Sequence, residues 1–272
     1  MIGTLAQIIT LTAYGNDYLR NGSIPVDFDH HAVFQFCNKV DFSEFGNVHP
    51  SSALGEKMVS VSPAGWFRHL KTDGCKHLRL YYEGSKDQDF AKDHKLAGFI
   101  GGGGDWFIEA VYDSYSIYWA NRWMVTDKNA ADRRIWTVNY GALSARHPTN
   151  DLQIDNQTVK NELRRVLSEI ADFASEQDLQ SWAEQFDRSM TVLDSSSPEE
   201  DFQPRDLIPL ENYSLTAKQI IFSAGSAWVF GGMGSWNDLG FDDEADNEKY
   251  DDLSEQLYSK INEAIIAGIN TY

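Results

Sequence analysis

"DWFIEAVYDSYSIYWANRWMVTDKNAADRRIWTVNYGAL", residues 105–143, decides the fold class of this chain. Three segments in it, DWFIEAVYD, SYSIYWANRWMVT and RRIWTVNYGAL, are dense in Trp, Tyr, Ile and Val, residues that suit a pleated, half-buried surface. DKNAAD, between the last two, has turn composition. Upstream, GWFRHLK (65–71) and CKHLRLYYE (75–83) flank Asp73-Gly74, a hairpin signal, and HAVFQFCNKVDF (31–42) alternates with period two. Together these segments predict a β-meander. Residues 43–63 read as loop, and residues 3–19 as a helix with Leu5, Ile8, Ile9 and Ala13 at helical spacing.

After Pro148 the period becomes 3.6. Val159, Leu163, Val166, Leu167, Ile170 and Phe173 form one stripe behind an Asp155/Asn156 cap, and Leu179, Trp182, Phe186 and Met190 form a second. DSSSPEEDFQPRD (194–206) is a polar linker; Thr216 to Gln219 fits a capping box, and a last helix runs from Tyr250 to Gly268. The pattern is α+β: a largely antiparallel meander in residues 1–149, with an N-terminal helix, and helices of residues 150–272 packed on one face, all in one domain spanning 1–272.

The formal charge of −18 is one-sided, −1 over residues 1–149 and −17 over residues 150–272. Phosphate and anionic lipid are both disfavoured by such a surface, so neither nucleic acid nor membrane is expected as a partner. A basic protein suits the acidic half. Cys37 and Cys75 are too few for a disulfide framework and lack metal-ligand spacing; free thiols and a cytoplasmic location follow. Neither a signal peptide nor a membrane span is expected.

Two glycine-rich stretches are the candidate binding elements. FIGGGGDWFIE (99–109) places bare backbone amides before Asp105, Trp106 and Glu109, but strand residues follow where a phosphate loop needs a helix. A flexible hairpin element and a ligand-facing loop both fit. WVFGGMGSWNDLGFDDEADNEKYDD (228–252) opens as a helix end, where a glycine C-cap is the economical reading. Its centre, Gly234, Ser235, Trp236, Asn237 and Asp238, groups hydroxyl, indole, amide and carboxylate on a loop. The alternative is structural, with Trp236 plugging the core and Asn237 or Asp238 capping a turn. The acidic run from Asp242 fails as an EF-hand, because its sixth and twelfth positions are Asn247 and Leu253.

Glu109 sits mid-strand among apolar residues and needs a partner, for which Arg122 and Arg134 are the candidates. Arg68, His69, Lys71, Lys76, His77 and Arg79 concentrate positive charge that is expected to dock on the acidic half. No nucleophile elbow, zinc motif or cofactor fingerprint occurs in the sequence, so neither metal nor cofactor is expected. The function class this favours is a soluble, non-enzymatic protein-binding module, immunity-like or accessory, engaging a basic partner. The competing class is an enzyme or small-molecule binder whose pocket is lined by residues 101–104 and 231–238.

Overall fold

The computed structural model describes residues 1–45, 56–86, 92–99, 102–149 and 152–272. Among them six strands form one sheet: β1 (Cys37–Phe45), β2 (Glu56–Ser60), β3 (His77–Glu83), β4 (Asp105–Val111), β5 (Ser116–Val125) and β6 (Trp136–Ala142). Their spatial order is β2-β1-β6-β5-β4-β3. β3 to β6 pair in succession, every neighbour antiparallel. β1 runs parallel to β6, with Phe42 beside Tyr140, and β2 lies antiparallel outside it. Among the described residues seven helices accompany the sheet: α1 (Gly3–Asn21), α2 (Pro63–Thr72), α3 (Asp93–Leu96), α4 (Asn156–Glu176), α5 (Gln180–Asp194), α6 (Leu215–Ser226) and α7 (Glu244–Asn270). The protein is therefore mixed α+β, with a mostly antiparallel sheet and one parallel pair.

The hairpin expected at Asp73-Gly74 is corrected to a helix followed by a strand, for a local reason. Ser62 accepts the Gly65 N–H at 3.2 Å as N-cap, and Pro63 fills the first turn, where a missing N–H costs nothing. Trp66, Phe67 and Leu70, each 0% exposed, then fall on one helical face. Gly74, at φ 84°, closes α2 as a Schellman motif, with the Cys75 N–H on the Leu70 carbonyl at 2.9 Å. Residues 31–36 likewise differ from the expected strand: 3-10 turns at Phe28–His30 and Ala32–Phe34 precede β1. Within the expected loop of 43–63, β1 extends to Phe45 and β2 occupies Glu56–Ser60, while 46–55 lie outside the described residues.

One sheet face carries the core. Leu78, Leu80, Ile108, Trp119, Val138, Tyr140 and Phe42 are all at most 3% exposed. α1 lies against β3 and β4, and α2 against β1 and β2. Trp66 stacks on Phe42 at 4.5 Å and meets Trp119 edge-on at 5.2 Å, while Tyr140 Oη donates to Gln7 of α1 at 2.9 Å. Tight helix–sheet approach requires glycine at Gly15, where a Cβ would stand 2.4 Å from Leu78 Cδ1. α1 and α2, both from the N-terminal half, pack on this face.

The C-terminal helices α4, α5, α6 and α7 pack chiefly on one another, and α7 reaches the sheet beside β3. β3 is an edge strand, and two asparagines occupy its outward backbone groups. Asn16 accepts the Leu78 N–H at 2.6 Å and donates to the Leu78 carbonyl at 2.9 Å. Asn270 treats Leu80 in the same way, at 2.7 and 2.9 Å. The two side chains imitate a neighbouring strand and block further pairing.

Within the helical half, Ser214 caps α6 by accepting the Ala217 N–H at 3.2 Å, two residues before the expected capping box. α6 stops at Ser226 with a right-handed cap at Ala227, so Gly231 and Gly232 are not its C-cap. α7 starts at Glu244, capped by Asp243, so the acidic run is the first turn of a helix, where its dipole favours negative charge.

Candidate functional site

The first glycine stretch is a tight turn beside α3; Ile100 and Gly101 lie outside the described residues. Gly103 and Gly104 have φ of 82° and 75°. A Cβ at Gly102 would stand 2.2 Å from the Leu96 carbonyl oxygen, and one at Gly104 would stand 2.5 Å from Tyr82 Oη, so the winding tolerates no side chain. Tyr82 Oη contacts Asp93 at 3.0 Å and the Gly103 carbonyl at 3.1 Å, and Tyr258 Oη of α7 donates to that same carbonyl at 2.5 Å. Burial raises the pKa of both phenols, holding them protonated as donors.

The second stretch meets the first through its backbone. A Cβ on Gly98 would stand 2.0 Å from the Gly231 carbonyl oxygen, and Asn237 Nδ2 donates to the His94 carbonyl of α3 at 2.9 Å. Trp236 is 0% exposed, packed edge-on against Phe186 and donating from Nε1 to Ser254 at 2.7 Å. Gly234 and Asp238 are exposed, with the Gly234 N–H on the Asp238 carboxylate. Ser235 lines a cavity with Trp182, Trp228 and Gly231.

A second cavity, of about 430 Å³, opens between the glycine turn, the first turn of α1, and residues of β4, β5 and β6. Trp106, Trp123, Trp136 and Trp228 line it, together with Phe36, Tyr258, Cys37, Asn121 and Asp105. Trp123 and Trp136 meet edge-on at 5.8 Å, Trp228 and Tyr258 at 5.7 Å. Asn121 Nδ2 is held on the Trp106 carbonyl at 3.2 Å. Among the described residues the lining contains one carboxylate, Asp105, and no Lys, Arg or His. Asp105 is raised from the ordinary carboxylate range, first by burial and then by Glu83 and Asp93. Burial likewise raises the Cys37 thiol.

Of the residues singled out from sequence, Asp105 and Trp106 line this cavity and Ser235 lines the other one beside it; Ile2 and Trp228 belong to both. Trp236 and Asn237 are built into the packing around them. Glu109 is not brought to the cavity. It pairs at 3.9 Å with Arg79, its register neighbour on β3, in place of the expected Arg122 or Arg134. Among the described residues the basic group at 68–79 pairs near at hand in the sheet, Lys76 with Asp113 at 3.1 Å and Arg79 with Glu109, and makes no ion pair with the acidic half.

Sequence reasoning missed Trp123, Trp136, Asn121 and Tyr258 as cavity residues. The one linear clue was a Trp near an end of each of the consecutive strands, Trp106, Trp123 and Trp136; the register then sets Trp123 and Trp136 diagonally, since Trp123 pairs with Val138 and Trp136 with Val125. Among the described residues no group of three or more His, Cys, Asp or Glu is placed to hold a metal ion, and no helix is long and apolar enough to cross a membrane. No family model, no curated protein and no solved structure matches the chain.

Proposed function

We propose that this chain is a binding protein that takes a small, largely apolar molecule into the tryptophan-lined cavity. The observation that carries the reading is the convergence of four indoles, from β4, β5, β6 and the segment after α6, on one space of about 430 Å³. That volume lies within the ordinary range for ligand sites, about 300–1,000 Å³, and apolar walls with few polar groups are their usual make-up. The Asp105 carboxylate and the Asn121 amide supply orientation. Because four indoles line the space, occupancy should quench tryptophan emission, and a ligand at a hundred times its Kd should raise stability by about 2.7 kcal/mol. A small-molecule fragment set tested by fluorescence and thermal unfolding checks this. Binding that survives unchanged in both Trp123→Phe and Trp228→Phe would place the ligand elsewhere.

A second reading, a basic protein partner at the acidic half, draws on a specific contact. The chain's own Lys95 and Lys92 already sit on Asp251 and Glu255 of α7, at 2.8 and 2.5 Å, beside exposed Asp242, Glu244 and Glu248. A lysine-rich peptide should bind this surface with affinity that falls as salt rises. Unchanged affinity in the Glu244→Lys, Glu248→Lys double variant would remove this reading. We also take residues 1–272 as one domain, supported by Thr10 of α1 donating to the Leu207 carbonyl and by the Asn270–Leu80 pairing. The free thiols of Cys37 and Cys75 support a reducing, cytoplasmic setting.

A further inference from the structure

Resting on the reading of the cavity as a ligand site, we infer that its ligand is a small organic cation, an ammonium group on a compact apolar body. The lining includes four indoles and the Tyr258 phenol, and the faces of such rings carry partial negative charge and attract ammonium groups more strongly than neutral isosteres. The charge at the rim has the same sign. Asp105 lies opposite Glu83 in the β3–β4 register, and Asp93 is the next carboxylate acting on it. Asp105 makes no ion pair among the described residues, and the lining holds no cationic side chain among them. An anionic ligand would meet both the carboxylates and the electron-rich ring faces. A neutral apolar one would use the rings and leave Asp105 unanswered.

Three probes of nearly the same shape separate these cases: choline, its neutral isostere 3,3-dimethylbutan-1-ol, and the anion 3,3-dimethylbutanoate. Their affinities for the intact protein are read by tryptophan quenching and by ligand-observed NMR. Choline should bind about tenfold more tightly than the neutral isostere, and the anion more weakly than either. Asp105→Asn, at an exposed rim position, should weaken choline about five- to tenfold and leave the alcohol unchanged. Equal binding of choline and the alcohol, or no effect of Asp105→Asn on choline, overturns the charge inference while leaving the cavity as an apolar ligand site. Failure of all three probes to bind, with Trp emission unchanged at millimolar concentration, overturns the inference together with the reading it rests on.

Discussion

Trp236 offers the most direct test of the assignment of residues 228–238 to packing. Its side chain is 0% exposed, with ring centroids 5.2 Å from Phe186, 5.4 Å from Tyr250 and 5.6 Å from Trp182. Two hydrogen bonds fix it in place. The Trp236 indole donates to Ser254 Oγ at 2.7 Å, and the Tyr250 phenol donates to the Trp236 carbonyl at 2.5 Å. Trp236→Ala should cost about 3–5 kcal/mol, since a large buried ring is lost and the site is enclosed on several sides. Against a total stability of about 5–15 kcal/mol that is a large fraction.

The hydrogen bond can be isolated from the packing. Trp236→Phe leaves Ser254, itself 0% exposed, short of one partner, and Ser254→Ala strands the indole N–H; each should cost about 1–3 kcal/mol beyond the volume change. In the double variant neither group is stranded, so its cost should fall short of the sum of the singles by about 1–2 kcal/mol. Guanidinium unfolding of the four proteins, with near-ultraviolet circular dichroism to verify native packing, measures the cycle. A Trp236→Ala protein within about 1 kcal/mol of the parent, or singles that add to within about 0.5 kcal/mol, would refute the reasoning and return Trp236 to the ligand-binding residues.

Asn16→Ala and Asn270→Ala each unpair one N–H and one carbonyl on the outer edge of β3, and each should lose about 1–3 kcal/mol. The double variant should self-associate by light scattering; one that remains monodisperse and fully stable would show that the edge needs no cover. Gly98→Ala forces a Cβ onto the Gly231 backbone and should cost about 1–3 kcal/mol, whereas Gly232→Ala, with nothing within 4 Å of its Cβ position, should be nearly silent. Equal effects would mean that the two glycine stretches do not abut. His94, 2% exposed, is lowered from its ordinary 6.5 to about 4, first by burial and then by Lys95. Between those pH values the unfolded chain takes up the proton and the folded one does not. His94 therefore contributes its full stability above pH 6.5 and loses about 2–3 kcal/mol as pH falls toward 4. His94→Gln should shed that part of the acid dependence, and parallel stability profiles for the two proteins between pH 7 and 4.5 would count against it.

What could be read locally was read from periodicity. The alternating aromatic and β-branched residues of 105–142 form β4, β5 and β6, and the Val159-to-Phe173 stripe behind Asp155 forms α4, with Asp155 accepting the Gln157 N–H at 3.0 Å. Short segments defeated the same method. GWFRHLK satisfies both periods, and Gly74 at positive φ ends a helix as readily as it turns a hairpin; the Ser62-Pro63 start was the distinguishing signal. The start of α7 within the acidic run after Asp242 lacks an apolar stripe to mark it, although its Asp243 cap is itself a local signal.

Tertiary structure alone decided the rest. The parallel register of β1 on β6 joins segments far apart in the chain, and no local pattern encodes it. Glu109 faces Arg79 because strand register selects the partner, although Arg122 was equally plausible from composition. The eight tryptophans divide into core and cavity by where their elements converge: Trp66 and Trp236 are sealed at 0% exposure, while Trp106, Trp123, Trp136 and Trp228 share a space. Sequence by itself determined which surfaces were apolar and where the charge lay, because hydrophobic periodicity and capping act within a few residues. Which apolar surfaces would close on one another, and which would leave room between them, depended on packing among elements that the chain keeps apart.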